Sequence, residues 1–168
     1  EGVQEAGCEA LGNICRTSTA SQRCELVRVK VARLGGIEAV VAGMRAHEGS
    51  AGVQDWGCEA LGHLCFIDAN VVKIAERGGI EAVLAGLRAH EGSAGVQTHG
   101  IDTLANLCLV EDANRVKVAA LGGIEAVVAG MRAHAGGAVK IAALGGIEAV
   151  LAAMDAHAGE EGVQEQGC

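Results

Sequence analysis

The amino-acid sequence predicts an all-α fold built from stacked repeats, and three observations carry that reading. The phrase GGIEAV recurs at Gly35, Gly78, Gly122 and Gly145, at spacings of 43, 44 and 23 residues, and self-similarity on this scale is the mark of a repeat array. A second phrase, GVQ, opens a helical run at Gly2, Gly52, Gly95 and Gly162. The 168 residues contain no proline and 26 glycines, so helices can run uninterrupted and glycine is left for their ends and for close contacts.

Composition sets the packing. Half of the chain is apolar, but it has one Trp, one Phe and no Tyr, so Ala, Val, Leu, Ile and Cys must fill the core, which suits closely approaching helices. The seven cysteines include no C-x-x-C pair and mostly fall on apolar helix faces. They read as reduced packing residues of a cytosolic or nuclear protein. The formal charge of −8 argues against nucleic acid and anionic membrane, which want a basic face. No apolar run approaches the roughly 18–20 residues of a membrane span, and the N-terminus carries no signal-peptide pattern.

Each unit has three segments, clearest in the middle copy. Asp68 is a candidate N-cap for a short helix over 69–76. Gly78 and Gly79 then turn the chain. A second helix over 80–90 places Ile80, Val83, Leu84 and Leu87 on one stripe. The stripe recurs as Ile37, Val40, Val41 and Met44, as Ile124, Val127, Val128 and Met131, and as Ile147, Val150, Leu151 and Met154. Ser93 is a second cap candidate, and a third, longest helix follows over 94–109. The unit bounds read as 1–24 (partial), 25–66, 67–109, 110–135 and 136–168 (partial). Two units depart from the pattern. Residues 16–25 form a longer connection, expected as an exposed loop, and the unit ending near residue 135 lacks a third helix. Nothing resembles a polar capping repeat, so a piece of a longer array is expected.

A helix wheel divides the third helix into two faces. With Glu59 at 0°, Val53, Gly57, Leu61, Leu64 and Cys65 fall at roughly 120–240° and form the buried side, while Trp56, Glu59 and His63 fall at roughly 0–60°. The equivalent positions hold Ala6, Glu9 and Asn13 in one copy and His99, Asp102 and Asn106 in the other. Stacked copies would align one carboxylate per rung beside hydrogen-bonding groups. Rungs about 8–10 Å apart would seat an extended segment of about six to nine residues.

The motifs G-G-I-x-A-V-x-A-G-[ML] in the second helix and V-Q-x-x-G-C-[E]-A-L-[GA]-[NH]-[LI]-C in the third, in units near 42 residues, resemble the armadillo repeat over nearly the whole chain. HEAT and TPR arrays, with two-helix units, fit less well. The resemblance implies a right-handed α-solenoid of about three to four repeats, incomplete at both ends, whose third helices line a concave peptide groove. The family's backbone-gripping Asn position is held here by Asn13, His63 and Asn106. Its Trp position is held by Glu9, Glu59 and Asp102, an acidic replacement of the aromatic slot.

The expected function is therefore a protein-binding module or adaptor that takes an extended segment bearing Lys or Arg. Its candidate peptide-binding residues are Glu9, Asn13, Trp56, Glu59, His63, His99, Asp102 and Asn106. The other reading is a structural scaffold or spacer within a larger assembly. No catalytic set, phosphate cradle or cofactor is expected. His47, His90, His134 and His157 recur once per unit, too far apart at about 10 Å to share a metal. They read instead as cations at helix C-termini. His63 lies four residues from Glu59 and within its reach.

Overall fold

The computed structural model describes residues 1–16 and 22–134. Among these residues the chain is all helical, in the order α1 (Gly2–Cys15), α2 (Gln22–Arg33), α3 (Gly36–Ala46), α4 (Ala51–Leu64), α5 (Asp68–Glu76), α6 (Gly79–Ala89), α7 (Ala94–Val110), α8 (Asp112–Ala120) and α9 (Gly123–His134). The triplets α2–α3–α4 and α5–α6–α7 are two complete copies of one unit, and α8–α9 repeats the first two helices of a third. The long helices form a row in which α4 packs against α1 on one side and α7 on the other. The second helices stack in parallel fashion, with α6 in contact with both α3 and α9.

Each turn between first and second helix rests on a glycine with positive φ, +84° at Gly35, +77° at Gly78 and +71° at Gly122, a conformation that costs other residues their Cβ clearance. The apolar stripes of α3 and α6 are fully buried, from Ile37 and Ile80 to Met44 and Leu87. The third-helix face predicted to be inside is inside: Val53, Leu61 and Leu64 have no exposure. Met44 and Leu87 seat on glycines of the next helix. A Cβ at Gly57 would lie 2.6 Å from Met44 Cγ, and one at Gly100 2.7 Å from Leu87 Cδ2.

The recurrent polar residues pair the carbonyls that short helices leave open at their C-termini. Gln54 Nε2 donates to Met44 O at 2.8 Å and to His47 O at 3.1 Å, and Gln97 does the same to Leu87 O and His90 O. Asn70 and Asn114 donate to Leu64 O and Leu107 O at the ends of α4 and α7. Arg45 reaches Arg77 O and Gly78 O in the next unit, and Arg88 reaches Leu121 O and Gly122 O. Lys73 binds Ala32 O and Glu38 of the preceding unit, and Lys117 binds Ala75 O and Glu81. The Glu38 carboxyl lies below its ordinary range through its own backbone N–H and Lys73.

Several expectations are corrected. Asp68 is the first residue of α5 rather than its cap, and Ile67 holds the N-cap position, because the Ile67 carbonyl already accepts from Asn70 and Val71. Asp68 instead places its charge in the first turn, where the helix dipole favours it. Ser93 does hold the N-cap of α7, as expected, though without a side-chain bond, whereas Ser50 accepts from Val53 N. The long connection after Cys15 is partly helix: α2 has 12 residues against nine in α5 and α8, and Cys24 is buried within it. His90 and His134 do not simply sit at helix ends. Each ring Nε2 meets a carbonyl of the preceding unit, Glu48 O at 2.7 Å and Glu91 O at 2.8 Å. Residues 136–168, the absent third helix near residue 135, the fourth stripe and His157 lie outside the described residues.

Replacing Gln54 by Leu removes both of its bonds to the end of α3, where His47 O keeps only the Ser50 N–H. It should lower the unfolding free energy by about 1–3 kcal/mol, while Gln4→Leu, at an exposed equivalent position, should change it by less than about 0.5 kcal/mol; urea denaturation followed by far-UV circular dichroism reads both. Burial pushes the Cys58 thiol up to about 12, helped by Asp55 and Cys8, and burial alone pushes Cys65 up to about 12. The thiolate is the reactive form, so iodoacetamide at mildly alkaline pH should leave both unmodified in the native protein and label them after unfolding, as peptide mass mapping would report.

Candidate functional site

The row of long helices sets the site. Because α4 and α7 lie side by side in the same register, side chains at equivalent positions fall next to one another. Between the two helices opens a cavity of about 330 Å³ lined by Glu59, His63 and Phe66 from one side and His99, Asp102 and Asn106 from the other, with Gly62, Thr103 and Ala105 completing the lining. Five of the eight sequence-derived candidates thus meet in one place. Glu9 and Asn13 lie on α1, exposed and outside the cavity.

The rungs are not alike. Asp102 and Glu9 stand in solvent, but Glu59, which the wheel set opposite the buried side, is itself buried, with its side chain only 7% exposed. Arg16, at the end of α1, reaches across to Glu59 Oε1 at 3.3 Å, and its other amino group donates to Asn13 Oδ1 at 3.0 Å. Glu59 lies over Gly12, where a Cβ would be 3.4 Å from Oε2. The missing side chain on α1 makes room for the carboxylate to tuck between helices. Its Oε2 has no hydrogen-bond partner among the described residues. His63 Nε2 approaches Glu59 Oε1 at 3.6 Å, an ion-pair distance beyond a hydrogen bond.

Trp56 stands apart from the other candidates. It lies half-buried, packs against the core and does not line the cavity. Its counterpart His99 does line it, and the ring is oriented by Asp55, whose Oδ1 lies 2.7 Å from His99 Nδ1. Thr103 Oγ1 donates to Cys58 O at 2.8 Å and is therefore committed to joining α7 to α4.

Three participants escaped the sequence reading: Arg16, Arg28 and Phe66. Arg28 is 8% exposed, and its guanidinium lies 4.9 Å from the centre of the Phe66 ring, a cation–π distance. Phe66 in turn stacks beside His63 with ring centres 6.4 Å apart. The single Phe at the end of a third helix was an available signal. Arg16 had none, because its partner is 43 residues away.

The cavity is thus a mixed polar site. It has an open acceptor at Asp102, an amide at Asn106, a buried carboxylate already holding one guanidinium, and an aromatic edge. It offers hydrogen-bonding and ion-pairing groups, and no side chain in it is set as a nucleophile against a base. Among the described residues no group of three or more His, Cys, Asp or Glu is arranged to hold a metal ion. No described helix is long and apolar enough to cross a membrane. Compared with protein-family models, curated proteins and solved structures, the chain matches none of them.

Burial pushes the His63 imidazole below its ordinary value, with Glu59 pulling the other way and Arg28 and Arg16 reinforcing the shift. The folded state then holds fewer protons at this site than the unfolded chain just below an ordinary histidine pKa. The neutral ring's contribution to stability is full above about 6.5 and is lost as pH falls towards the folded-state value. The stability of the wild type relative to His63→Asn should therefore decline from about pH 7 to about pH 5.5, read by urea denaturation at each pH.

Proposed function

We propose that the chain is a protein-interaction module of armadillo type, a right-handed superhelix in which α1, α4 and α7 face a shared hollow that receives an extended peptide bearing Lys or Arg. The observation that carries this reading is the meeting of Glu59, His63, His99, Asp102 and Asn106 around one cavity on the row of long helices. The groups suit the task. Asn106 carries both an amide donor and an acceptor, as a peptide backbone requires. Asp102 is an exposed acid with room for an incoming ammonium or guanidinium, and Glu9 continues the charge on α1. Acids so placed favour basic segments through steering and partly desolvated pairs. Arg16 holds the middle carboxylate until a ligand cation replaces it.

The reading assigns the chain no catalysis and no cofactor, and it places protein ahead of nucleic acid or membrane as partner. The scaffold reading is favoured by a different observation, the apolar faces left open on α1 and α9. A module can serve both ends, since these faces lie away from the cavity.

Fluorescence anisotropy with Lys- and Arg-containing peptides, against Ala-substituted controls, tests the proposal. Asp102→Lys should weaken binding about tenfold, equivalent to about 1.4 kcal/mol. Arg16→Ala should strengthen it by releasing Glu59. Peptides with and without basic residues binding equally would sink the reading.

A further inference from the structure

The stripe on α9 is identical to that on α3 and occupies the same positions as that on α6, yet it is not covered like them. Ile124 is 37% exposed and Met131 44%, whereas Ile37, Met44, Ile80 and Leu87 are each 1% or less. Between α7 and α9 lies a slot of about 300 Å³ whose lining is wholly apolar, including Leu104, Val118, Ile124, Val127 and Val128. The equivalent positions one unit earlier, Leu61, Ile74, Ile80, Val83 and Leu84, are buried, and the helix that packs over them is α7. The slot therefore has the shape of a seat for one more long helix of the α4 and α7 kind.

The chain carries a helix of that kind with its seating face open. On α1, Val3 is 87% exposed and Ile14 51%, while the equivalent Val53 and Leu64 of α4 have no exposure. Gly7 corresponds to Gly57 and Gly100, the glycines that receive Met44 and Leu87, but nothing lies within 4 Å of where its Cβ would be. Gln4 already lies against Gly43 of α3, as Gln54 lies against Gly86. What Gln4 lacks is the pair of helix-end carbonyls that Gln54 and Gln97 bind. Met131 and the C-terminus of α9 are the equivalents of the knobs and carbonyls that Gly57 and Gln54 receive from α3. Within one chain α1 stands at the far side of α4 from α7, so it cannot reach this seat itself.

We propose that α1 of a second copy of this chain docks in the slot between α7 and α9, completing the unit that α8 and α9 begin. The contact joins unlike surfaces, so each added copy presents a fresh slot, and chains grow head to tail instead of stopping at a symmetric pair.

Sedimentation velocity on the full 168-residue chain over a concentration series tests this, with Val3→Asp blocking the α1 face and Ile124→Asp blocking the slot. The wild type should pass beyond dimer as concentration rises. Each variant alone should remain monomeric, and an equimolar mixture should give a dimer and nothing larger, since one intact α1 face and one intact slot remain. Gly7→Val and Met131→Lys, at open positions, repeat the experiment independently, and circular dichroism confirms that all four variants are helical. A wild type that stays monomeric at every concentration overturns the proposal, as does slow hydrogen exchange along the α9 stripe in a monomer, which would assign the slot to residues 135–168. Mixtures that form no heterodimer, or a Val3→Asp variant that still self-associates, overturn it equally.

Discussion

The seating of a second-helix side chain on a long-helix glycine governs the rest of the structure. Met44 on Gly57 and Leu87 on Gly100 bring two helices closer than any larger residue would permit. At that distance a glutamine one turn away can span to the end of its neighbour and bind two carbonyls. A core almost without aromatic rings is adequate here because the backbones approach so closely that small side chains fill the space. The long helices are then held in register, and the register is what brings Glu59 and Asp102 to opposite walls of one cavity.

The site depends on this geometry in a second way. A glycine at position 12 of α1 leaves space that the Glu59 carboxylate occupies, and Arg16 closes over it. The middle rung is therefore a buried carboxylate held by an exposed guanidinium and flanked by exposed acids, with Arg28 and Phe66 forming a wall beside His63. Charge along the row alternates between held and open.

The period of the repeats and the apolar stripes made the helices legible in the sequence to within a residue or two, including the glycine turns and the inner face of α4. Both are properties of a single helix or a short connection, set by spacing along the chain. What could not be read were relations between units. Nothing local marks Arg16 as the partner of Glu59, and a wheel drawn for one helix treats everything off its apolar face as solvent. The wheel likewise left Trp56 at its edge, from where it packs on the core. The histidines at the ends of second helices were recognised as recurrent, but their acceptors belong to the preceding unit. The connection after Cys15 read as a loop because its sequence has no counterpart, although its last residues extend α2 by one turn.

The polar ties that cross between units bear on how the chain comes apart. Arg45, Lys73, Arg88, Lys117, His90 and His134 all bond backbone carbonyls in an adjacent copy rather than their own. In a linear array whose cohesion resides in nearest-neighbour terms, melting is a propagating front. An outer module has half the neighbours of an inner one and frays first. The α2–α3–α4 and α5–α6–α7 modules, each with neighbours on both flanks, are the segment from which refolding would spread and the last to surrender its amide protons.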